Sequence, residues 1–233
     1  MRILVVGSCG KRKRESSPKS PTCKDITSKV DLATWREKFK AQSYPARDMY
    51  IGFQAQQLVN GVDVLRKIDG ADVTLVIISA GFGLIYENEV IPPYDCSFSK
   101  MKKSEILDRA EKLSIQDDFT SLCEDRYDLI YLALGKNYLS ALGVDWLSSS
   151  SSTIIVFNDT LAGDGVVFIP ANHRIVHALS SRGYKIHGVS GFKGDLFRVL
   201  THFASESDNP YKEIMKWRSS DYLRELVHTL SGI

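Results

Sequence analysis

The chain has 233 residues, of which 43% are hydrophobic and 25% are charged, and its formal net charge at pH 7 is +2. This is the composition of an ordinary globular protein with enough apolar residues to bury a core. No apolar run approaches the roughly 20 residues of a membrane span, and glycine and charge interrupt the first ten residues too early for a signal peptide. We therefore expect a cytoplasmic protein without membrane association.

The first 50 residues are much more basic than the rest of the chain. They contain 12 lysines and arginines against 5 aspartates and glutamates, and residues 11–14 are four consecutive basic residues. Such a cluster is typical of contact with phosphate groups or nucleic acid. A solvated, mobile loop would have the same composition, and the run alone does not decide between the two interpretations.

The cysteines and histidines form no pattern of metal ligands. The four cysteines, with no CxxC pair among them, are Cys9, Cys23, Cys96 and Cys123. This spacing favours reduced thiols in the cytoplasm over a disulfide framework or a zinc site. The five histidines are equally scattered, so we expect no metal ion, and no motif indicates another cofactor.

Four apolar runs are predicted to be strands, and seven segments have the periodicity of helices. The predicted strands are residues 2–6, 75–78, 127–134 and 153–157. The predicted helices are residues 31–40, 47–68, 103–123, 137–142, 172–182, 195–203 and about 211–230. Asp31 is the expected N-cap of the first helix, and Gly61 is expected to bend or split the second. A flexible basic insertion, rich in serine, proline and lysine, is predicted at about 14–30.

The strand at residues 75–78 leads into the most informative loop. Ser79-Ala80-Gly81-Phe82-Gly83 contains two glycines, which allow a tight turn or a close approach to a ligand. Pro92 and Pro93 then stiffen the segment that presents Tyr94 and Asp95. A buried strand, a glycine loop and a rigid polar segment have the layout of an α/β active-site crevice. The alternative is a strand followed by a long surface loop.

Strands and helices alternate along the chain, which is the pattern of a doubly wound sheet. We predict a single α/β domain over residues 1–233, with a three-layer, mostly parallel sheet of four to five strands and a C-terminal helical extension. Ligands of such sheets bind beyond the carboxyl ends of the strands. The loops that this rule assigns to the site are residues 7–14, 79–99, 135–138, 157–165 and 188–194.

Two familiar phosphate-binding motifs are absent from the first of these loops. Residues 8–13 match neither GxxxxGK[ST] nor GxGxxG, which excludes nucleoside-triphosphatase chemistry and a nicotinamide site. Backbone amides after the strand, with Lys11 beside them, remain suited to a phosphate or carboxylate. Cys9 is either an activated nucleophile or a small residue packed under the loop.

Three residues compete for the role of catalytic polar group. Asp48 lies near a helix start, where it either complements the helix dipole or faces the crevice and orients a water molecule. Asp95 follows Tyr94 in the stiffened loop, and Asn158 follows the strand at 153–157. Spacing alone does not choose among the three.

Four motifs taken together resemble a known family. They are Cys-Gly-Lys-Arg-Lys at 9–13, Pro-Ala-Arg-Asp-Met-Tyr at 45–50, Ile-Ser-Ala-Gly-Phe-Gly-Leu-Ile at 78–85 and Ile-Pro-Pro-Tyr-Asp at 91–95. The combination resembles a poorly characterised bacterial and phage family related to the YaaA-like peroxide-stress proteins, over about the first hundred residues. Residues 132–142 look like the strand–glycine–helix unit of the uracil-DNA glycosylase superfamily, although the water-activating motif of those glycosylases is not recognisable here. The resemblance implies a uracil-DNA-glycosylase-like fold, modified nucleobases and DNA as ligands, and a role in defence against phage.

The leading functional prediction is a DNA-glycosylase-like hydrolase that cleaves the N-glycosidic bond of a modified nucleobase in DNA. The predicted substrate-binding residues are Cys9, Lys11, Lys13, Arg47, Tyr50, Ser79, Gly81, Phe82 and Tyr94, with the lysines and the arginine on phosphates and the aromatic residues as pocket walls. The predicted catalytic residues are Asp48, Asp95 and Asn158. Two alternatives stay open. One is a non-enzymatic DNA-binding stress-response protein, and the other is a transferase that processes nucleotides or nucleosides.

Overall fold

The computed structural model describes residues 1–149, 151–161 and 163–233. The strands in these residues are β1 (Arg2–Ser8), β2 (Tyr44–Pro45), β3 (Asp72–Ser79), β4 (Gly83–Tyr86), β5 (Val90–Ile91), β6 (Leu129–Leu132), β7 (Thr153–Val156) and β8 (Val166–Phe168). Six of them form the central sheet, in the order β4-β3-β1-β6-β7-β8, and β2 pairs separately with β5.

The central sheet is mostly parallel. β1 pairs in parallel with both β3 and β6, β6 with β7, and β7 with β8, whereas β4 returns antiparallel along β3. The predicted strands correspond to β1, β3, β6 and β7, which confirms an α/β fold with a mostly parallel sheet. The expectation of four to five strands was too low because β4 lies within the loop predicted at 79–99 and β8 directly follows the loop predicted at 157–165, so neither was counted as a strand. Gly83, with a φ of +78°, allows the chain to enter β4 where a loop was predicted.

Alternate residues of β1 enter two different apolar cores. Leu4 and Val6 belong to the core on one face of the sheet, and Ile3 and Val5 belong to the core on the other face. Because side chains alternate between the two faces of a strand, both faces of the sheet are covered. This burial explains why residues 3–6 of β1 are apolar without interruption.

Helices form both covering layers. They are α1 (Asp31–Lys38), α2 (Ala46–Met49), α3 (Phe53–Leu65), α4 (Lys103–Lys112), α5 (Ile115–Cys123), α6 (Lys136–Leu142), α7 (His173–Ser181), α8 (Gly188–Ser205), α9 (Pro210–Met215) and α10 (Ser220–Ser231). α3 packs on α8, and a side-chain carbon at Gly61 would lie 2.5 Å from the Phe197 ring. Gly61 therefore permits close packing, and its helix continues through it.

The prediction of one helix over residues 47–68 is wrong. The chain breaks between α2 and α3 at residues 50–52, because the basic loop pairs with the backbone there. The Arg14 amide donates to the Met49 carbonyl at 2.9 Å, and the Ile51 amide donates to the Arg12 carbonyl at 3.1 Å. These tertiary contacts separate the two helices, and Gly52 in the break is the N-cap of α3.

Other helix boundaries also differ from the predictions. The predicted helix at 103–123 divides at Ser114, whose φ of +52° is left-handed. Asp31 is not an N-cap: it is the first helical residue, and its carboxylate accepts hydrogen bonds from the amides that precede it. The glycine turn expected at 188–194 is the beginning of α8, and the single helix at about 211–230 is two helices, α9 and α10. No helix in the described part of the chain is both long enough and apolar enough to cross a membrane.

Residues 14–30, here called the strap, were predicted to be a flexible insertion, and the structure anchors them at several points. Ile26 is fully buried, the Asp95 amide donates to the Pro21 carbonyl at 2.8 Å, and Cys23 forms a disulfide bond with Cys96. The prediction of reduced thiols is therefore wrong for these two cysteines, whereas the other two cysteines of the chain are free and buried. The partners are separated by 73 positions in the sequence, which gave no signal of the pairing.

Candidate functional site

The loops that follow β1 and β3 lie side by side because the two strands are parallel neighbours. Ser8 at the end of β1 is in register with Ile78, and the Cys9 amide donates to the Ile78 carbonyl at 3.0 Å. The first loop carries the basic residues 11–14. The disulfide and the Asp95 amide hold the strap, which continues that loop, against residues 95–96. The basic loop and the stiffened loop therefore meet.

A cleft of about 540 Å³ lies between these segments. Its lining residues are Lys11, Arg12, Lys13, Ser16, Ser17, Pro18, Ser20, Ile51, Tyr94 and Asp95. The volume is in the range of pockets that hold small molecules. Three cationic side chains, one carboxylate and several hydroxyl groups favour a polar ligand that carries negative charge.

The cationic residues of the cleft differ in their surroundings. Lys11 and Arg12 are exposed, and among the described residues neither forms an ion pair. The Lys13 ammonium lies 4.2 Å from the centre of the Tyr94 ring and donates to the Gly10 carbonyl at 3.2 Å. Burial lowers the pKa of Lys13, and the nearby Cys9 and Asp95 oppose that shift. Lys11 and Arg12 are thus the cations most available to an incoming phosphate.

A chain of buried hydroxyl groups lies beneath the cleft. Ser79 Oγ accepts from the Gly81 and Phe82 amides, both at 3.1 Å, so its own proton is free to be donated to Tyr94 Oη at 2.8 Å. Tyr94 then donates to Tyr50 Oη at 2.6 Å. Burial raises the pKa of both tyrosines, which keeps the two phenols neutral. This chain fixes the wall of the cleft and holds no charge.

Cys9 takes part in a second buried contact. Tyr138 donates its single hydroxyl proton to the Cys9 carbonyl at 2.9 Å. The 3.1 Å contact between Cys9 Sγ and Tyr138 Oη therefore requires the thiol to donate. With only 4% of its surface exposed, Cys9 packs under the loop and does not face the cleft. Of the two interpretations of Cys9, the geometry fits packing.

The glycine-containing turn after β3 does not form an open floor for a planar ligand. A side-chain carbon at Gly81 would lie 2.8 Å from the Tyr94 ring, so the tyrosine already covers that glycine. Phe82 is 1% exposed and contacts the edge of the same ring, with the ring centres 4.8 Å apart. Phe82 and Tyr50 support Tyr94 from inside the protein, and only Tyr94 reaches the cleft.

Arg47 lies outside the cleft, and its guanidinium forms ion pairs with two carboxylates. Its guanidinium contacts both oxygens of Asp63 at 2.7 Å and Glu87 at 2.9 Å. The hydrogen bond to Asp63 raises the pKa of Arg47. Glu87 is nearly buried and also pairs with Arg66. The predicted phosphate-binding role of Arg47 has no support in this geometry, because both terminal nitrogens of its guanidinium already bind carboxylates.

Two of the three candidates for catalysis, Asp48 and Asn158, also lie away from the cleft. Asp48 is an exposed residue of α2, and it is not among the residues that line the cleft. Asn158 follows β7, two strands away from β1, and its side chain accepts from the Thr160 amide at 3.0 Å. Within the predicted loop 157–165, residue 162 lies outside the described residues. Of the three candidates, the structure brings only Asp95 together with the basic residues.

Two residues that hold the site together were not predicted. Arg109 on α4 donates to the carbonyls of Ala80, Cys23 and Ile26, and so joins the glycine turn to the strap. Burial lowers the pKa of Arg109. Tyr138 lies in the predicted loop 135–138 but was not singled out. Arg109 lies in no recognisable motif, and both residues act through partners that are distant in sequence.

Comparison with known proteins identifies the family without assigning a function. A model described as a family of unknown function, DUF6884, matches residues 32–163, more than half of the chain, and the chain belongs to this family. No curated protein matches the chain. The resemblance to YaaA-like proteins and to uracil-DNA glycosylases therefore stays a prediction.

Proposed function

We propose that the chain is a hydrolase that cleaves the N-glycosidic bond of a nucleobase in DNA, and that the cleft is its active site. The observation that supports this most strongly is the presence of Asp95, Lys11 and Arg12 in one cleft of about 540 Å³. A carboxylate can stabilise positive charge on a sugar, and cations can bind the phosphates on either side of it. A nucleotide presents both a sugar and phosphates.

The proposed roles follow from exposure and charge. Lys11 and Arg12 bind phosphates, a contact whose strength falls steeply with salt. Asp95 is exposed in the cleft, where it orients a water molecule and stabilises the sugar as the bond to the base breaks. The oxygen of that water bonds to the sugar carbon, and its proton ends on the departing base. Ile51 supplies the apolar wall against which the extruded base lies, whereas Tyr94 is 3% exposed and holds Lys13 over its ring at the same wall.

The same proposal includes the predicted uracil-DNA-glycosylase-like fold, the resemblance to YaaA-like proteins and the cytoplasmic location. A uracil-DNA-glycosylase-like arrangement has its site at the carboxyl ends of parallel strands, and the cleft occupies that position here. A modified base, a role in phage defence and a cytoplasmic location rest on the resemblance and on DNA as the substrate.

Base release from DNA tests the proposal. The purified chain is incubated with oligonucleotides that carry a broad panel of modified bases, and free bases are measured by mass spectrometry. Asp95→Asn should slow release by about 100-fold or more, the usual effect of losing an acid–base group. Asp48→Asn is the matched control, since it removes an exposed carboxylate outside the cleft, and it should leave the rate unchanged. A wild type that releases no base from the panel, or a fully active Asp95→Asn variant, would contradict the proposal.

A DNA-binding protein without catalysis is the second candidate. The observation in its favour is that the buried hydroxyl groups do not face the cleft, whereas Lys11, Arg12 and Arg14 are exposed and, among the described residues, without ion pairs. A binder would lose DNA when these cations are replaced but would be unaffected by Asp95→Asn. An enzyme would be impaired by both changes.

A further inference from the structure

A half-exposed aromatic ring lies beside the cleft and has no role in the proposed reaction. Phe53, the first residue of α3, is 49% exposed. One face of its ring stacks on His187, with the ring centres 4.2 Å apart and the planes inclined by 12°. We call Phe53 and His187 the aromatic shelf. Isolated exposed apolar residues are common on protein surfaces, so exposure alone gives Phe53 no function.

The fixed position of His187 is the unusual feature of the shelf. Asp195 is fully buried, and its carboxylate accepts from the His187 amide and from Nδ1, both at 2.7 Å. A side-chain carbon at Gly191 would lie 2.9 Å from the Cβ of His187, so only glycine leaves room for the ring there. Burying a carboxylate costs free energy unless hydrogen bonds compensate it. Here a buried carboxylate serves to hold one imidazole behind Phe53.

Cationic residues of the basic loop lie over aromatic rings along this edge of the protein. The Arg12 guanidinium is 5.8 Å from the centre of the Phe53 ring, and that of Arg14 is 4.8 Å from the centre of the Tyr44 ring. Arg12 also lines the cleft, so the shelf and the cleft share a residue. Alternation of cations and aromatic rings is the arrangement by which proteins bind single-stranded nucleic acid.

We propose that the aromatic shelf binds an unpaired nucleobase, which displaces the Arg12 guanidinium from the Phe53 ring and stacks on the ring face opposite His187. Arg12 then binds the phosphate next to that base. His187 and Asp195 are positioning residues, because they keep the Phe53 ring in place before the base arrives. The inference rests on the proposed function only in taking nucleic acid as the ligand, and it adds a single-stranded segment next to the cleft.

Binding of two labelled strands tests the shelf. Fluorescence anisotropy is measured with an oligothymidylate and with an abasic strand of the same length, which keeps the phosphates but has no bases. The wild type should bind the oligothymidylate more tightly. Phe53→Leu should weaken that binding by about tenfold and leave abasic binding unchanged, since stacking on an aromatic side chain contributes this much per base. Phe53→Trp should retain the wild-type affinity.

Phe168→Leu is the matched control, because Phe168 is 44% exposed on the edge strand β8, away from the basic loop. The shelf is overturned if Phe53→Leu binds both strands as the control does, or if the wild type binds the abasic strand as tightly as the oligothymidylate.

Failure of the shelf proposal is distinguishable from failure of the hydrolase proposal. A protein that releases no base but depends on Phe53 for base binding contradicts only the hydrolase, and one that releases bases without that dependence contradicts only the shelf.

Discussion

Tyr94 connects the buried hydroxyl chain to the wall of the cleft. Its hydroxyl is held between Tyr50 and Ser79, and the residue is 3% exposed. Tyr94→Phe should lower the free energy of unfolding by about 1–3 kcal/mol, because it leaves buried hydroxyl groups without their partner. Urea denaturation measures the change. Tyr86→Phe is the control, since Tyr86 is 46% exposed, and equal stability losses in the two variants would contradict the role of the chain.

Lys13 should give the stability of the protein a dependence on alkaline pH. Burial lowers the pKa of its ammonium below the usual 10.5, so the folded protein binds that proton less tightly than the unfolded chain does. Stability must therefore rise as the pH increases from the lowered pKa to 10.5, and Lys13→Met should lack this rise. Urea denaturation of both proteins between about pH 8 and 10.5 tests the sign. Lys67→Met, which replaces an exposed lysine, is the control and should show the same rise in stability as the wild type. If the stability of Lys13→Met also rises with pH in parallel with that of the wild type, the prediction is contradicted.

For single residues, the sequence predicted which loop residues lie close together at the ends of adjacent strands. It did not predict which distant side chains form ion pairs or hydrogen bonds with each other. Ser79, Tyr94 and Lys13 were predicted to lie together, because adjacent parallel strands bring their loops to one edge. Arg47 was assigned to phosphate because its partners Asp63 and Glu87 could not be located from the sequence. Asp48 was assigned to the crevice, but the direction in which its short helix faces is set by tertiary contacts. The sequence does not show those contacts.

The strap is the element whose anchoring decides the shape of the cleft. The disulfide between Cys23 and Cys96 closes a loop with a sequence separation of 73 residues. Cys23→Ser should lower the free energy of unfolding by about 2–4 kcal/mol under non-reducing conditions, because the unfolded chain regains the freedom that the crosslink removes. A reductant should destabilise the wild type to a similar extent and should not affect the variant. Thiol titration that finds four free cysteines in the unreduced protein would contradict the pairing.

The strands were predicted correctly where apolar runs were long. Element boundaries were predicted wrongly where tertiary contacts determine where a helix or strand begins and ends. β1, β3, β6 and β7 were recognisable because they are buried on both faces. β4 was missed because it is short and antiparallel, and the break between α2 and α3 was misplaced because the basic loop, distant in sequence, pairs with residues 49–51. No local signal identifies such breaks.

For the whole molecule, the central claim is that nucleic acid binds at the edge of the sheet where the basic loop and the cleft lie. The opposite edge, where the strands begin, also carries exposed cations, among them Lys67 and Arg126. Net charge alone would attract nucleic acid to either edge. Only a localised site makes binding depend on Lys11 and Arg12 and not on the other pair.

The salt dependence of binding to a single-stranded oligonucleotide tests this claim most directly. On a single strand, each phosphate contact that is lost reduces the slope of log affinity against log salt by about 0.7. The double variant Lys11→Gln/Arg12→Gln should therefore bind more weakly and reduce the slope by about 1.4, whereas Lys67→Gln/Arg126→Gln should retain the wild-type slope and affinity. Equal slopes for the two double variants would contradict a nucleic-acid site at the cleft.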